Sequence, residues 1–370
     1  MKATFVEHAH DGAARVGRVR TARGSFATPC FMPVGTRGAV RHLSAGDLEM
    51  LGAEVVLGNT YHLMLRPGAE TVRALGGLHR FTDWGGHVLT DSGGYQIFSL
   101  EPKVDDEGAV FKSVYDGSKH RLTPEGAVDV QHALGSDIQM VLDVCPPADA
   151  TADVLRAAVD RTALWAARGR ERFLASGDDL VARHHQFGIV QGGTDHAMRR
   201  ESTERILEVG FDGYAVGGLS VGETRDEMLP ALHEATAMLP ADQPRYFMGL
   251  GDPVGIVEVV ALGVDMFDCV LPTRLARHGT LLTTDGRLNI RRAEYARDDN
   301  PIDEKLVGSP VARYSRGYLR HLLSVDEPTA GRLLTLHNLW WLLSFVEALR
   351  AAITAGQFAA FRAETHAIWG

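Results

Sequence analysis

Three aspartates stand at the downstream ends of short apolar runs: Asp91 after His87-Val88-Leu89-Thr90, Asp143 after Met140-Val141-Leu142, and Asp268 after Asp265-Met266-Phe267. Each interrupts a segment that reads as buried strand, and burying an unpaired carboxylate costs too much to be incidental. One such aspartate is as well explained as a helix N-cap or an ion-pair partner. Three at equivalent strand ends would make an acidic pocket on one face of a sheet, where α/β enzymes place their chemistry. Carboxylates there suit the N–H/NH2 edge of a planar heterocycle such as guanine. One of them could also attack a sugar carbon, as in retaining glycosidases.

The elements that must carry these side chains are eight short apolar runs, over residues 30–34, 54–57, 87–90, 138–142, 187–190, 213–216, 246–248 and 266–270. Most gaps between them hold helical patterns. Leu155, Ala158, Val159, Thr162 and Ala166 follow helical spacing after Thr151, a candidate N-cap. Asp252-Pro253 opens another helix, which Gly263 closes. Alternation of buried strand and amphipathic helix predicts a parallel sheet. Eight strands suit a (β/α)8 TIM barrel of about 250 residues, which leaves about 120 for additions. The rival is an open doubly wound sheet. No Gly-x-Gly-x-x-Gly follows the first run, whereas Gly93-Gly94, Gly192-Gly193 and Gly217-Gly218 recur at strand ends, which favours the barrel.

Residues 16–28 read as an N-terminal β-hairpin, residues 293–312 as polar loop, and residues 314–323 and 329–368 as helices. The expected organisation is a catalytic barrel with its hairpin over 1–292 and an appended C-terminal helical subdomain over 293–370, packed on the barrel. Its rim would hold Asn59, Asp91, Asp143, Gln191, Gly218, Met248 and Asp268.

At 370 residues and 45% hydrophobic content the chain can bury a large core. Its charge, 38 − 47 = −9, excludes a generic polyanion binder, so any nucleic-acid contact must be local. Arg274, Arg277, Arg287, Arg291 and Arg292 cluster in one short span, followed by Arg313, Arg316 and Arg320. That is the spacing expected of a phosphate footprint, and equally of solubilising surface charge. Three cysteines far apart, Cys30, Cys145 and Cys269, argue for a reducing compartment. The first residues lack a signal-peptide core, and the most apolar stretch, 340–352, carries Glu347 and Arg350. A cytoplasmic protein with no membrane partner is expected.

Thr90-Asp91-Ser92-Gly93-Gly94-Tyr95-Gln96-Ile97-Phe98 resembles a signature of the bacterial tRNA-guanine transglycosylases. So do Gly188-Ile189-Val190-Gln191-Gly192-Gly193, the run from Phe211 to Glu223, Tyr246-Phe247-Met248-Gly249, and Asp265-Met266-Phe267-Asp268-Cys269-Val270-Leu271-Pro272-Thr273-Arg274. The resemblance extends from about Thr28 to near the C-terminus. It implies an enzyme of queuosine tRNA modification that exchanges an anticodon guanine for a 7-deazaguanine. Asp268 would be the nucleophile that forms a covalent ribosyl-enzyme, and Asp91 the general acid/base. Asp143, Gln191 and the Gly218 backbone would bind the base, with Tyr95 and Met248 on its faces. Cys145 paired with Val221 resembles the small-pocket bacterial members. That favours prequeuine, whose amine would meet the Leu219 carbonyl, although Val221 as simple packing is the alternative. Arg274 and Arg277 belong to the stretch that contacts the tRNA anticodon loop in this family, and Arg291 and Arg292 would extend it.

The resemblance breaks at one place. The family holds a structural zinc through Cys-x-Cys-x-x-Cys and a later histidine, but here those cysteine positions hold Leu306, Gly308 and Val311, and only His337 remains. One imidazole does not make a tetrahedral site. No zinc and no other cofactor are therefore expected, with His337 a buried or helix-surface residue and Leu306 and Val311 packing beside Trp340 and Trp341. The loss leaves open the homodimer that the family builds partly from this region. Two other functions stay open: the same exchange on DNA or a free nucleoside, and a catalytically silent tRNA-binding subunit.

Overall fold

Each of the eight apolar runs is a strand of one closed parallel barrel in the computed structural model, which describes residues 4–100 and 102–370. An antiparallel sheet comes first, of β1 (Thr4–Asp11), β2 (Ala14–Thr21) and β3 (Gly24–Thr28). The barrel begins with β4 (Cys30–Gly35), β5 (Val55–Gly58) and β6 (His87–Thr90). A second antiparallel sheet interrupts it, formed by β7 (Lys103–Asp105), β8 (Gly108–Lys112) and β9 (Lys119–Leu122). The barrel resumes with β10 (Ile138–Met140), β11 (His185–Val190), β12 (Gly213–Val216), β13 (Arg245–Phe247) and β14 (Met266–Cys269). It closes where β14 pairs with β4 and β10 pairs with β6.

Strands β6, β10, β11 and β12 are buried at every residue, because side chains meet core on one face and helices on the other. This is why they read as near-continuous apolar runs. Thr151 caps the helix Ala152–Leu174, and Asp252 with Pro253 opens the helix Pro253–Ala261, as their sequences predict. Such helices return the chain to the opposite end of the barrel, so all eight strands finish on one rim.

The additions differ in detail from the sequence reading. The hairpin over residues 16–28 is present as β2 and β3, but β1 joins it. Neither the β7–β9 sheet nor the hairpin of β15 (Thr280–Thr283) and β16 (Gly286–Asn289) was anticipated. All are short, and β7, β9 and β16 are partly exposed, so they lack a continuous apolar run to announce them. Residues 329–368 form two helices, Pro328–Thr354 and Phe358–Trp369, broken at Gly356 with φ +65°. A shorter helix, Arg316–Ser324, precedes them.

One apolar cluster runs without interruption from the barrel, at Phe31 and Phe267, to Leu334, Leu339 and Leu342 of the long C-terminal helix. Asn338 on that helix is fully buried. It donates to the Pro272 and Thr280 carbonyls and accepts from the Leu282 amide, 2.9, 3.1 and 3.0 Å away. Among the described residues no helix is long and apolar enough to cross a membrane.

Candidate active site

A cavity of about 310 Å³ opens at the C-terminal ends of the barrel strands, and Asp91, Asp143 and Asp268 all line it. Asp91 follows β6 directly. Its Oδ1 accepts from the Thr60 and Gly93 amides at 2.8 and 3.1 Å, and its Oδ2 accepts from Asn59 Nδ2 at 2.5 Å. Asn59 also caps the helix Thr60–Leu65, so a single turn both ends β5 and supports this carboxyl. Burial pushes the Asp91 carboxyl up to about 7, and the negative charges of Asp268 and Asp143 add to that, against the pull of the two backbone amides. At neutral pH it is divided between acid and anion.

Asp143 is more fully enclosed. Its Oδ1 accepts from Ser92 Oγ at 2.8 Å and its Oδ2 from Gln191 Nε2 at 2.7 Å. Burial still raises its carboxyl above the ordinary range, against those two bonds. Gln191 stands behind Asp143, wholly buried, and its Oε1 has no hydrogen-bond partner among the described residues. Gly218 makes this possible: at φ +65° a Cβ there would collide with Gln191 Oε1.

Asp268, near the end of β14, is held by one oxygen only. Oδ1 accepts from Tyr246 Oη at 2.6 Å and from the Gly249 amide at 3.0 Å. Oδ2 has no hydrogen bond among the described residues, and the side chain borders the cavity. Burial raises this carboxyl too, opposed by the Tyr246 and Gly249 bonds.

The other expected base-site residues border the same cavity. Tyr95 stands at its mouth with 62% of its surface exposed, and Met248, Cys145, Gly218, Leu219 and Val221 complete the wall. Burial and the neighbouring Asp143 push the Cys145 thiol up to about 12, so it is neutral. Glu223 accepts from the Ser220 and Val221 amides, the latter at 3.0 Å, and pins the loop that carries them.

Arg274 and Arg277 lie on the helix Leu271–Arg277 immediately after β14, close in sequence to Asp268. Arg291 Nε donates to the His278 carbonyl at 3.1 Å, and Arg292 faces Glu294 at 3.6 Å. Arg316 does not fit the phosphate footprint, because it is tied to Asp298 and the Ile302 carbonyl. Sequence reasoning passed over Tyr246, Ser92 and Thr60, which orient the carboxylates. Tyr246 was visible inside the Tyr246-Phe247-Met248-Gly249 motif, but its partner, Asp268, is 22 residues away.

The positions that correspond to the family's zinc ligands do not fit that ion. Val311 is buried and Leu306 packs against the core. Gly308 lies under Trp340, whose Nε1 donates to the Val307 carbonyl at 3.3 Å. His337 is buried with Nε2 2.8 Å from the Leu282 carbonyl, and burial pushes its imidazole down to about 4. Among the described residues no group of three or more His, Cys, Asp or Glu side chains is arranged to hold a metal ion.

With this geometry in place, comparison with known proteins is direct. A family model described as queuine tRNA-ribosyltransferase matches residues 10–370. A queuine tRNA-ribosyltransferase of Solidesulfovibrio magneticus is 50% identical over 99% of this chain and 98% of its own length. That of Novosphingobium aromaticivorans is 48% identical over 98% and 97%, and that of Oceanobacillus iheyensis 48% over 94% and 91%. The same strand-end carboxylates that gather in the cavity thus lie in a chain that matches these relatives almost end to end, and it belongs to the queuine tRNA-ribosyltransferase family.

Proposed function

We propose that the protein exchanges a guanine of a tRNA anticodon for a 7-deazaguanine by two displacements at one ribose carbon, with Asp268 as the nucleophile. The observation that carries this reading is the asymmetry of Asp268, one oxygen held and the other left at the cavity. Oδ2 bonds to ribose C1′ while the C1′–N9 bond to guanine breaks, and the departing base takes a proton from Asp91. The incoming base then returns a proton to the Asp91 carboxylate, and its N9 displaces Asp268. Two inversions retain the sugar configuration. One glycosidic bond replaces another, so no energy-rich co-substrate is needed. The target nucleotide must be flipped out of its stack to reach the cavity.

Asp143 and Gln191 hold the N–H/NH2 edge of the base, the backbone at Gly218 and Leu219 receives its other polar atoms, and Tyr95 and Met248 cover its faces. Cys145 and Val221 together on the wall support a small 7-substituent, hence prequeuine, with its amine at the Leu219 carbonyl. Arg274, Arg277, Arg291 and Arg292 supply charge for the anticodon-loop phosphates. The protein acts without zinc, and in the cytoplasm, where tRNA and reduced cysteines coexist.

Incubation with anticodon stem-loop RNA should give an RNA adduct that survives a denaturing gel and is absent in Asp268→Asn. Labelled guanine should enter tRNA and not duplex DNA or guanosine. Incorporation only outside tRNA, or an adduct that persists in Asp268→Asn, would reject this reading.

A further inference from the structure

Beside the cavity, three separate elements bring one aromatic ring and two guanidinium groups together. Tyr115 sits in the turn between β8 and β9, Arg37 in the loop after β4, and Arg66 at the end of the helix Thr60–Leu65. The Arg66 guanidinium carbon is 4.6 Å from the Tyr115 ring centroid and that of Arg37 is 5.4 Å away. Tyr115 Oη lies 2.8 Å from His62 Nδ1, and His62 itself lines the cavity. The cluster therefore adjoins the place where a flipped nucleotide would enter.

No carboxylate among the described residues is paired directly with either guanidinium. Many arginines of this chain face a carboxylate, as Arg73 does Glu70 and Arg121 does Asp105. Among the described residues neither Arg37 nor Arg66 has such a partner. The neighbouring Asp116 does not serve: its oxygen accepts from the Ser118 amide and hydroxyl at 3.1 and 2.6 Å. The Ser118 and Ser113 side chains and the Ser118 amide are the main reason its carboxyl sits at about 2, and the Arg66 charge adds to this from a distance, without a direct ion pair. Burial, and then the Arg37 charge, lower the His62 imidazole, so it adds no third positive charge and can accept from the Tyr115 hydroxyl. Two like charges gathered on one ring repel, and cation–π attraction of about 0.5–1 kcal/mol at an exposed site offsets only part of that. The arrangement lacks an anion in direct contact with both guanidinium groups, and guanidinium pairs match a phosphate.

We propose that Tyr115 holds Arg37 and Arg66 as a clamp for an RNA backbone phosphate beside the nucleotide whose base enters the cavity. This rests on the RNA reading above. It draws on elements other than the helix Leu271–Arg277, so it is a second grip on the strand. A base can be extruded only if the backbone next to it is held, and two fixed cations do this without reading sequence.

The test uses anticodon stem-loop RNA with Arg37→Gln, Arg66→Gln, the double variant, Tyr115→Leu and Tyr115→Phe. Each single arginine variant should raise the KM for RNA about tenfold. Each should also flatten the dependence of log Kd on log salt by about 0.7, the value for one phosphate contact on a single strand. The KM for guanine should not move. Tyr115→Leu should resemble an arginine variant, and Tyr115→Phe, which keeps the ring, should resemble wild type. A double variant with wild-type RNA affinity and salt slope overturns the clamp while leaving the transglycosylase reading intact. A wild-type protein that neither binds the RNA nor exchanges guanine removes both.

Discussion

Asp91, Asp143 and Asp268 are chemically one residue type, and their surroundings give them separate capacities. Asp143 has both oxygens occupied by Ser92 and Gln191, which suits a fixed acceptor for a base edge. Asp268 has one oxygen held and one unpaired, which suits a nucleophile. Asp91, at about 7, exchanges protons near neutral pH. That shift costs stability as pH rises from 3.8 toward 7, because the folded state retains a proton that the unfolded chain has lost. On the proposed mechanism adduct formation uses Asp91 as acid and Asp268 as anion, so its single-turnover rate should fall as pH rises through about 7 and fall again on an acid limb where Asp268 takes up a proton. The three carboxyls interact, so the profile reports the set as well as Asp91. Tyr246→Phe removes a donor that favours the Asp268 anion. It should slow adduct formation roughly 10- to 100-fold, the worth of a hydrogen bond to a charged group, and move the acid limb to higher pH. An unchanged acid limb would show that Tyr246 does not position or ionise Asp268.

At the scale of elements, the site depends on how each strand ends. Asn59 both caps a helix and bonds Asp91, and Gly218 leaves room for the side chain of Gln191. The barrel strands were legible because a strand buried on both faces needs a continuous apolar run. The β7–β9 insertion was not, since strands half-exposed on a short sheet leave only weak alternation. It carries Tyr115, and so the clamp was invisible as well. The β15–β16 hairpin is fastened to the helix Pro328–Thr354 through Asn338. Asn338→Ala strands three buried backbone groups and should cost about 2–4 kcal/mol in urea unfolding. A loss no larger than that of a surface substitution would mean that water or repacking replaces these bonds.

For the whole molecule, the two ends of the barrel use the same residues differently. Asp265 and Asp268 belong to one strand-forming motif. Asp265, at its start, is sealed by two bonds from Arg15, at 2.8 and 2.6 Å, and one from the Arg245 amide at 2.7 Å. Asp268, three residues on, opens to the cavity. One end is closed by an ion pair and the other opens to a cavity, the division of roles that barrel geometry favours. The C-terminal helices join the barrel through shared apolar core, and Asn338 and His337 tie them to the β15–β16 hairpin, which offers a route to stability that needs no metal. Purified protein should contain far less than one zinc per chain, and a chelator should leave its thermal midpoint unchanged. Stoichiometric zinc, or a midpoint that falls with chelation, would refute this.

Local sequence determined what local physics can encode. Buried strands need uninterrupted apolar residues, helix caps need Thr151 or Asp252 at the first turn, and a carboxylate that ends an apolar run marks itself as costly. Those signals sufficed to anticipate the barrel and the three aspartates. Tertiary structure alone decided which oxygen of Asp268 stays unpaired, how far Asp91 is desolvated, and that Arg37, Arg66 and Tyr115 meet. Each of these depends on residues distant in the chain. Hydrogen bonding, dielectric environment and charge proximity are properties of closed space, and no window of sequence contains them.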